Sequence, residues 1–170
     1  MTNTSTNSAP QQARAYVDAF STRVGDTPEN YAKSADGSFS CMVSNVRFDF
    51  QAAQSMLIVR AVVEASLPKL RGDVMQRLRK IEADTPNQVD HARFEYIPGL
   101  IPAEPASQSL FLRTDIREFH SKPQDAAERI FKLSQTAYAW NRGKLLAVIK
   151  EANASLSPEQ LQQLRHEKAQ

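Results

Sequence analysis

Residues 46–67 read VRFDFQAAQSMLIVRAVVEASL. Val46, Phe48 and Phe50 alternate with Arg47 and Asp49, the period of a half-buried strand. A polar break at 51–54 is followed by a nearly continuous apolar run over 56–63, interrupted by Arg60. Such a run suits a central strand covered on both faces. The stretch then enters Ser66-Leu67-Pro68, where Ser can cap a helix and Pro fits its first turn. The block therefore predicts a sheet with helices packed on it.

Working outward from this block, residues 38–44 (SFSCMVS) read as a preceding strand, so that three strands form an antiparallel meander. Cys41 within it reads as a small core hydrophobe. Residues 26–37 carry Gly, Pro, Asn and Asp and read as a loop. Further upstream, Ala13, Tyr16, Val17, Phe20 and Val24 recur at spacings of three and four. They make one apolar helical stripe, opened by the capping pattern Ser8-Ala9-Pro10-Gln11 and closed by Gly25. Residues 1–8 read as a disordered, uncharged tail.

Downstream, the spacing of Leu67, Leu70, Val74, Leu78 and Ile81 predicts a helix over 67–83. Lys69, Arg71, Arg77, Arg79 and Lys80 surround that seam. Residues 92–97 (ARFEYI) and 109–116 (SLFLRTDI) read as a second antiparallel pair joined by a Pro-rich connection. Ser121-Lys122-Pro123-Gln124 opens a long helix reaching Ala152, with Trp140 as a core anchor and a bend at Gly143. Ser157-Pro158-Glu159-Gln160 opens a short polar helix within a C-terminal tail over 153–170. The predicted class is α+β, an antiparallel sheet with helices packed on it, ordered α-βββ-α-ββ-α plus a short C-terminal helix. Residues 9–152 form its single domain.

The bulk numbers agree with that size. The chain has 170 residues, 41% apolar and 24% charged. A net charge of +2 is too small to imply a nucleic-acid or membrane partner. A single cysteine excludes an intramolecular disulfide and, with a polar N-terminus lacking signal-peptide features, points to the cytoplasm.

The sequence carries no recognisable chemistry-bearing motif. His91, His120 and His166 are scattered, with no metal-ligand spacing. No Gly-rich phosphate loop and no GxSxG elbow occurs. Asp49 and Glu64 are the one candidate carboxylate pair, and strand alternation and capping account for both. The sequence predicts a protein that is not an enzyme, with no cofactor and no metal.

The paired strands VRFDF and SMLIVRAVVEA, the Ser-Leu-Pro helix entry, the strand SLFLRTDI and a last helix with AYAWNRGKLL together resemble the class I type III secretion chaperones, the Tir-chaperone-like family. The YbjN-like fold shows a related pattern. The resemblance spans roughly residues 8–152. The chain departs from the family in its pI near 8.8, since members are commonly acidic. The resemblance implies a cytoplasmic homodimer that holds the N-terminal segment of a secreted effector protein in extended form, without ATP. It implies Tyr16, Phe20, Phe48, Phe50 and Met56 as effector-binding residues, and Leu70, Val74 and Leu78 as the dimer interface. The alternative reading is a nucleic-acid or acidic-protein binding module acting through the basic helix 67–83.

Overall fold

The computed structural model describes residues 9–25, 32–33, 39–43, 46–53, 56–67, 72–98, 108–117 and 122–167. The alternating segment becomes β3 (Val46–Ala52), with Val46, Phe48 and Phe50 buried. The apolar run becomes β4 (Met56–Leu67), and β2 (Phe39–Val43) lies on the far side of β3. The second pair is β5 (Arg93–Pro98) and β6 (Gln108–Arg117). All pairings are antiparallel, in the order β1-β2-β3-β4-β6-β5. The outermost strand, β1 (Ala32–Lys33), falls where the sequence reads as loop and pairs with Phe39 and Ser40.

Helices pack on one face of this sheet. α1 (Ala9–Val24) and α3 (Pro123–Ala139) lie side by side, α1 on β3 and α3 across β3, β4 and β6. Their apolar stripes, Tyr16, Val17 and Phe20 on one and Ile130, Leu133 and Ala137 on the other, meet Phe48, Phe50, Val59 and Ala61 in one core. The Phe20 ring sits 5.4 Å from Phe48 and 5.7 Å from Phe50. Burying a side chain of this size contributes about 1.5–3 kcal/mol. Gly25 closes α1 with φ 76, the left-handed conformation that glycine adopts without steric cost.

Three boundaries differ from expectation. First, β4 continues through Ser66 and Leu67, so Ser66 is a strand residue, and α2 is Gly72–Asp84 rather than 67–83. Pairing decides this. β6 supplies a backbone partner as far as Leu67↔Gln108, across two register shifts at Val62/Glu64 and Glu64/Leu67. Second, a 3₁₀ turn, Pro86–Val89, follows α2, and Asp90 and His91 leave it with φ 53 and φ 56. Third, the long helix is interrupted. α3 ends at Ala139, a π-helical segment spans Trp140–Lys144, and α4 (Leu145–Ala154) resumes. Gly143 leaves helical geometry inside the π segment, at the position where the sequence predicts a bend.

The π segment is pinned on two sides. Trp140 Nε1–H donates to the Gln88 carbonyl at 2.9 Å, and Asn141 Nδ2–H donates to the Val63 carbonyl at 2.7 Å. Val63 is the residue at the first β4 register shift, so a helix irregularity satisfies a strand irregularity. Trp140 is 1% exposed and meets Phe94 edge-on at 4.9 Å, the core anchor the sequence predicts. α5 (Pro158–Glu167) opens with a reciprocal capping box: Gln160 N–H donates to Ser157 Oγ at 3.3 Å, and Ser157 N–H donates to Gln160 Oε1 at 3.0 Å. The opening patterns at Ser8 and Ser121 lie outside the described residues. α3 itself takes Lys122 as N-cap with no side-chain cap bond.

Candidate functional site

The residues singled out from the sequence go mostly inward. Tyr16 is 3% exposed, and Phe20, Phe48 and Phe50 are 0% exposed, with Phe48 and Phe50 stacked and the Phe20 ring of α1 tilted against both. A second polypeptide cannot touch these rings while α1 is docked. Val74 and Leu78 are likewise at 2% and 0%, packed within the chain's own core by α2, and therefore offer no seam to a second subunit. Leu70 lies outside the described residues. Met56 is different. It is half-buried, and its place in β4 is out of phase with the core residues Leu57, Val59, Ala61 and Val63. It belongs to the sheet face turned away from the helices.

Strand alternation builds that face. From β2 comes Met42, 60% exposed. From β3 come Arg47, Asp49 and Gln51, and from β4 come Met56, Ile58, Arg60 and Val62. From β6 come Phe111, Arg113 and Asp115, and from β5 come Arg93, Glu95 and Ile97. The register sets Asp49, Arg60, Arg113 and Arg93 in one row across four strands. Like charges directly opposite each other are unfavourable. Carboxylates from neighbouring rows relieve them. Glu95 accepts from Arg60 at 2.5 Å and from Arg113 at 3.0 Å, and Asp115 accepts from Arg113 at 2.8 Å and from Arg93 at 3.4 Å. Arg60 also donates to Gln51 at 3.0 Å, and Arg47 pairs with Asp49 at 3.2 Å.

Burial works against ionisation of Glu95, but hydrogen bonds and charge from Arg60 and Arg113 outweigh it and hold its carboxyl below the ordinary glutamate range. The hydrogen bond from Arg113 to Asp115 holds the Arg113 guanidinium above its ordinary pKa, against burial and together with Glu95. A carboxylate held ionised in this way is a poor proton donor at neutral pH. The network is suited to presenting fixed charge and hydrogen-bonding planes. Phe111, opposite Val62 and Glu95, also projects to this side but is fully buried, so its ring is covered and adds nothing to the exposed surface.

The two sheet edges are unequal. At β5, the Phe94 N–H donates to Glu82 Oε1 from α2, and Arg79 holds both Glu82 oxygens at 2.8 Å and 2.9 Å. Pro98 at the end of that strand has no N–H to offer. A side-chain cap and a proline both blunt an edge against strand addition. At the other edge, among the described residues, β1 pairs with Phe39 and Ser40 of β2.

The basic helix is partly neutralised: Arg77 meets Glu151 at 3.5 Å and Arg79 meets Glu82. Among the described residues no group of three or more His, Cys, Asp or Glu is placed to hold a metal ion. His91 is exposed, and Asp49 is engaged by Arg47. Cys41 is buried, as expected of a core cysteine. No described helix is long and apolar enough to cross a membrane. The ion-pair network was missed in the sequence because Arg60, Glu95 and Arg113 are far apart along it. The alternation of 93–97 and 109–116 was its one visible signal. The chain matches no protein-family model and no curated protein.

Proposed function

We propose that the chain is an ATP-independent chaperone that binds the N-terminal segment of a secreted effector in the cytoplasm and keeps it extended for export. The observation that carries this reading is the sheet face turned from the helices. There Met42 is 60% exposed, and half-buried Met56, Ile58 and Val62 lie among paired arginines and carboxylates. Apolar side chains of an extended client fit between such groups. Among the described residues, the β2 edge beyond Ser40 lies beside Met42 and has no strand partner, whereas the β5 edge carries the Glu82 cap. The client contacts are thereby moved from Tyr16, Phe20, Phe48 and Phe50, which are core, to Met42, Met56 and Ile58. The basic helix supports an acidic or nucleic-acid partner less well, because Arg77 and Arg79 are engaged within the chain. A homodimer remains part of the proposal, but its seam lies elsewhere than Val74 and Leu78.

The test is co-expression with the products of neighbouring genes, followed by limited proteolysis of any complex. The expected result is a co-purifying secreted protein whose N-terminal segment is protected, with protection reduced by Met42→Asp combined with Ile58→Asp. If neither a neighbouring product nor the natively unfolded protein β-casein binds, the reading is wrong.

A further inference from the structure

β5 is the last strand of the sheet, and among the described residues α2 rather than another strand lies at its outer side. Its register with β6 runs without a shift from Arg93↔Arg113 to Pro98↔Gln108. In such a ladder successive residues turn their N–H and C=O groups to opposite sides. The Phe94 N–H donates to Glu82 Oε1 and so points away from β6. Alternation turns the backbone of Tyr96 and Pro98 to the same outer side. Pro98 has no N–H, so the outer donors of the strand are those of Phe94 and Tyr96.

A row of outward backbone groups is a template for another strand. Glu82 takes the first donor of that row. Its carboxylate stands where the carbonyl oxygen of an added strand would accept. It is held there. Arg79, one turn earlier in α2, donates to both its oxygens at 2.8 Å and 2.9 Å, and the Glu82 side chain is only 16% exposed. α2 is seated in turn by the buried Val74 and Leu78, which fixes the carboxylate over the strand.

We infer that Glu82 is an edge guard, which keeps β5 from pairing with β5 of a second copy of this chain. The strand fits its own copy. Across a two-fold axis two β5 strands run antiparallel, and Phe94 of one faces Tyr96 of the other. Each such pair exchanges its N–H and C=O groups, so the outer donors of both strands are used, and Pro98 falls at the end of the paired stretch. Glu95 then faces its own copy, but each carboxylate already carries Arg60 and Arg113, which offsets the repulsion. The inference is independent of the client reading, which concerns the opposite edge. It also removes β5 from the seams open to a native homodimer.

The test compares the full chain with Glu82→Ala by multi-angle light scattering over a range of concentrations. Circular dichroism establishes folding, and amide hydrogen exchange locates the contact. Glu82→Ala is expected to reach about twice the wild-type mass or more at the highest concentration. Exchange over Arg93–Pro98 is expected to slow as the concentration rises. Glu82→Asp, one methylene shorter, keeps the charge and the Arg79 partner but draws the acceptor back from β5, and is expected to associate as well. Glu82→Gln keeps an acceptor oxygen within reach of Phe94 and is expected to stay at the wild-type mass. Trp140→Phe leaves the guard in place and is expected to do the same, which separates loss of the guard from loss of stability. Wild-type mass in folded Glu82→Ala overturns the inference; should that variant not fold, wild-type mass in Glu82→Asp does so. Association that slows exchange only outside β5 also overturns it. So does association of Glu82→Gln or of Trp140→Phe as strong as that of Glu82→Ala.

Discussion

Glu95 is held between two guanidiniums, Arg60 at 2.5 Å and Arg113 at 3.0 Å, with 26% of its side chain exposed. Its folded pKa is depressed below 4.5, so its stabilisation is present above that value and is lost as pH falls through the lower folded pKa. Glu95→Gln is expected to cost about 1–3 kcal/mol at neutral pH, because the two arginines lose a charged acceptor. Urea denaturation at pH 7 and at pH 3 checks this: the gap between wild type and variant narrows at the lower pH. Met42 gives the opposite profile. It is 60% exposed, so Met42→Asp is expected to change stability by no more than about 0.5 kcal/mol while weakening client binding. Trp140→Phe keeps the apolar ring against Phe94 but leaves the Gln88 carbonyl without its donor. The expected loss is about 1–3 kcal/mol in thermal or chemical denaturation.

At the scale of elements, α2 changes meaning most. Its seam reads equally well as a dimer interface or as the inner face of a docked helix, because periodicity marks which side is apolar and not what covers it. In the structure α2 packs on β5 and α4, with Val74 and Leu78 buried. Val74→Asp is therefore expected to lower the melting temperature sharply, burying an unpaired carboxylate at a cost of several kcal/mol. Dissociation by light scattering without loss of stability would contradict this. The end of β4 teaches a similar lesson. Ser66-Leu67-Pro68 carries a sound helix-start signal, yet the hydrogen bonds available from β6 extend the strand through Leu67. The opposite holds at Ser157, where the local signal alone suffices. The capping box forms, and Ser157→Ala is expected to cost α5 about 1 kcal/mol, visible as reduced helicity by circular dichroism.

Over the whole molecule, α1, α3, the sheet and the π segment share one core that runs from Tyr16 to Ala152. Trp140 sits in it beside Phe94, so its fluorescence and the far-ultraviolet circular dichroism are expected to change together in urea, as for a two-state domain. Separate transitions would show that the helical layer and the sheet come apart independently. Among the described residues the helices pack on one sheet face, and the Arg60–Glu95–Arg113 network lies on the other.

The sequence by itself determined the α+β class, the order of the longer elements and the core role of Trp140. Each rests on periodicity, caps and breakers, which are short-range and readable along the chain. Tertiary structure decided which apolar residues remain available. Phe48 and Phe50 were legible as one strand face, but only the docking of α1 turned that face inward. The same holds for the Arg60–Glu95–Arg113 network and for the two-residue β1, both made by contacts between separate segments of the chain. A strand alternates by itself, but which of its two faces is the inside is settled by what packs against it.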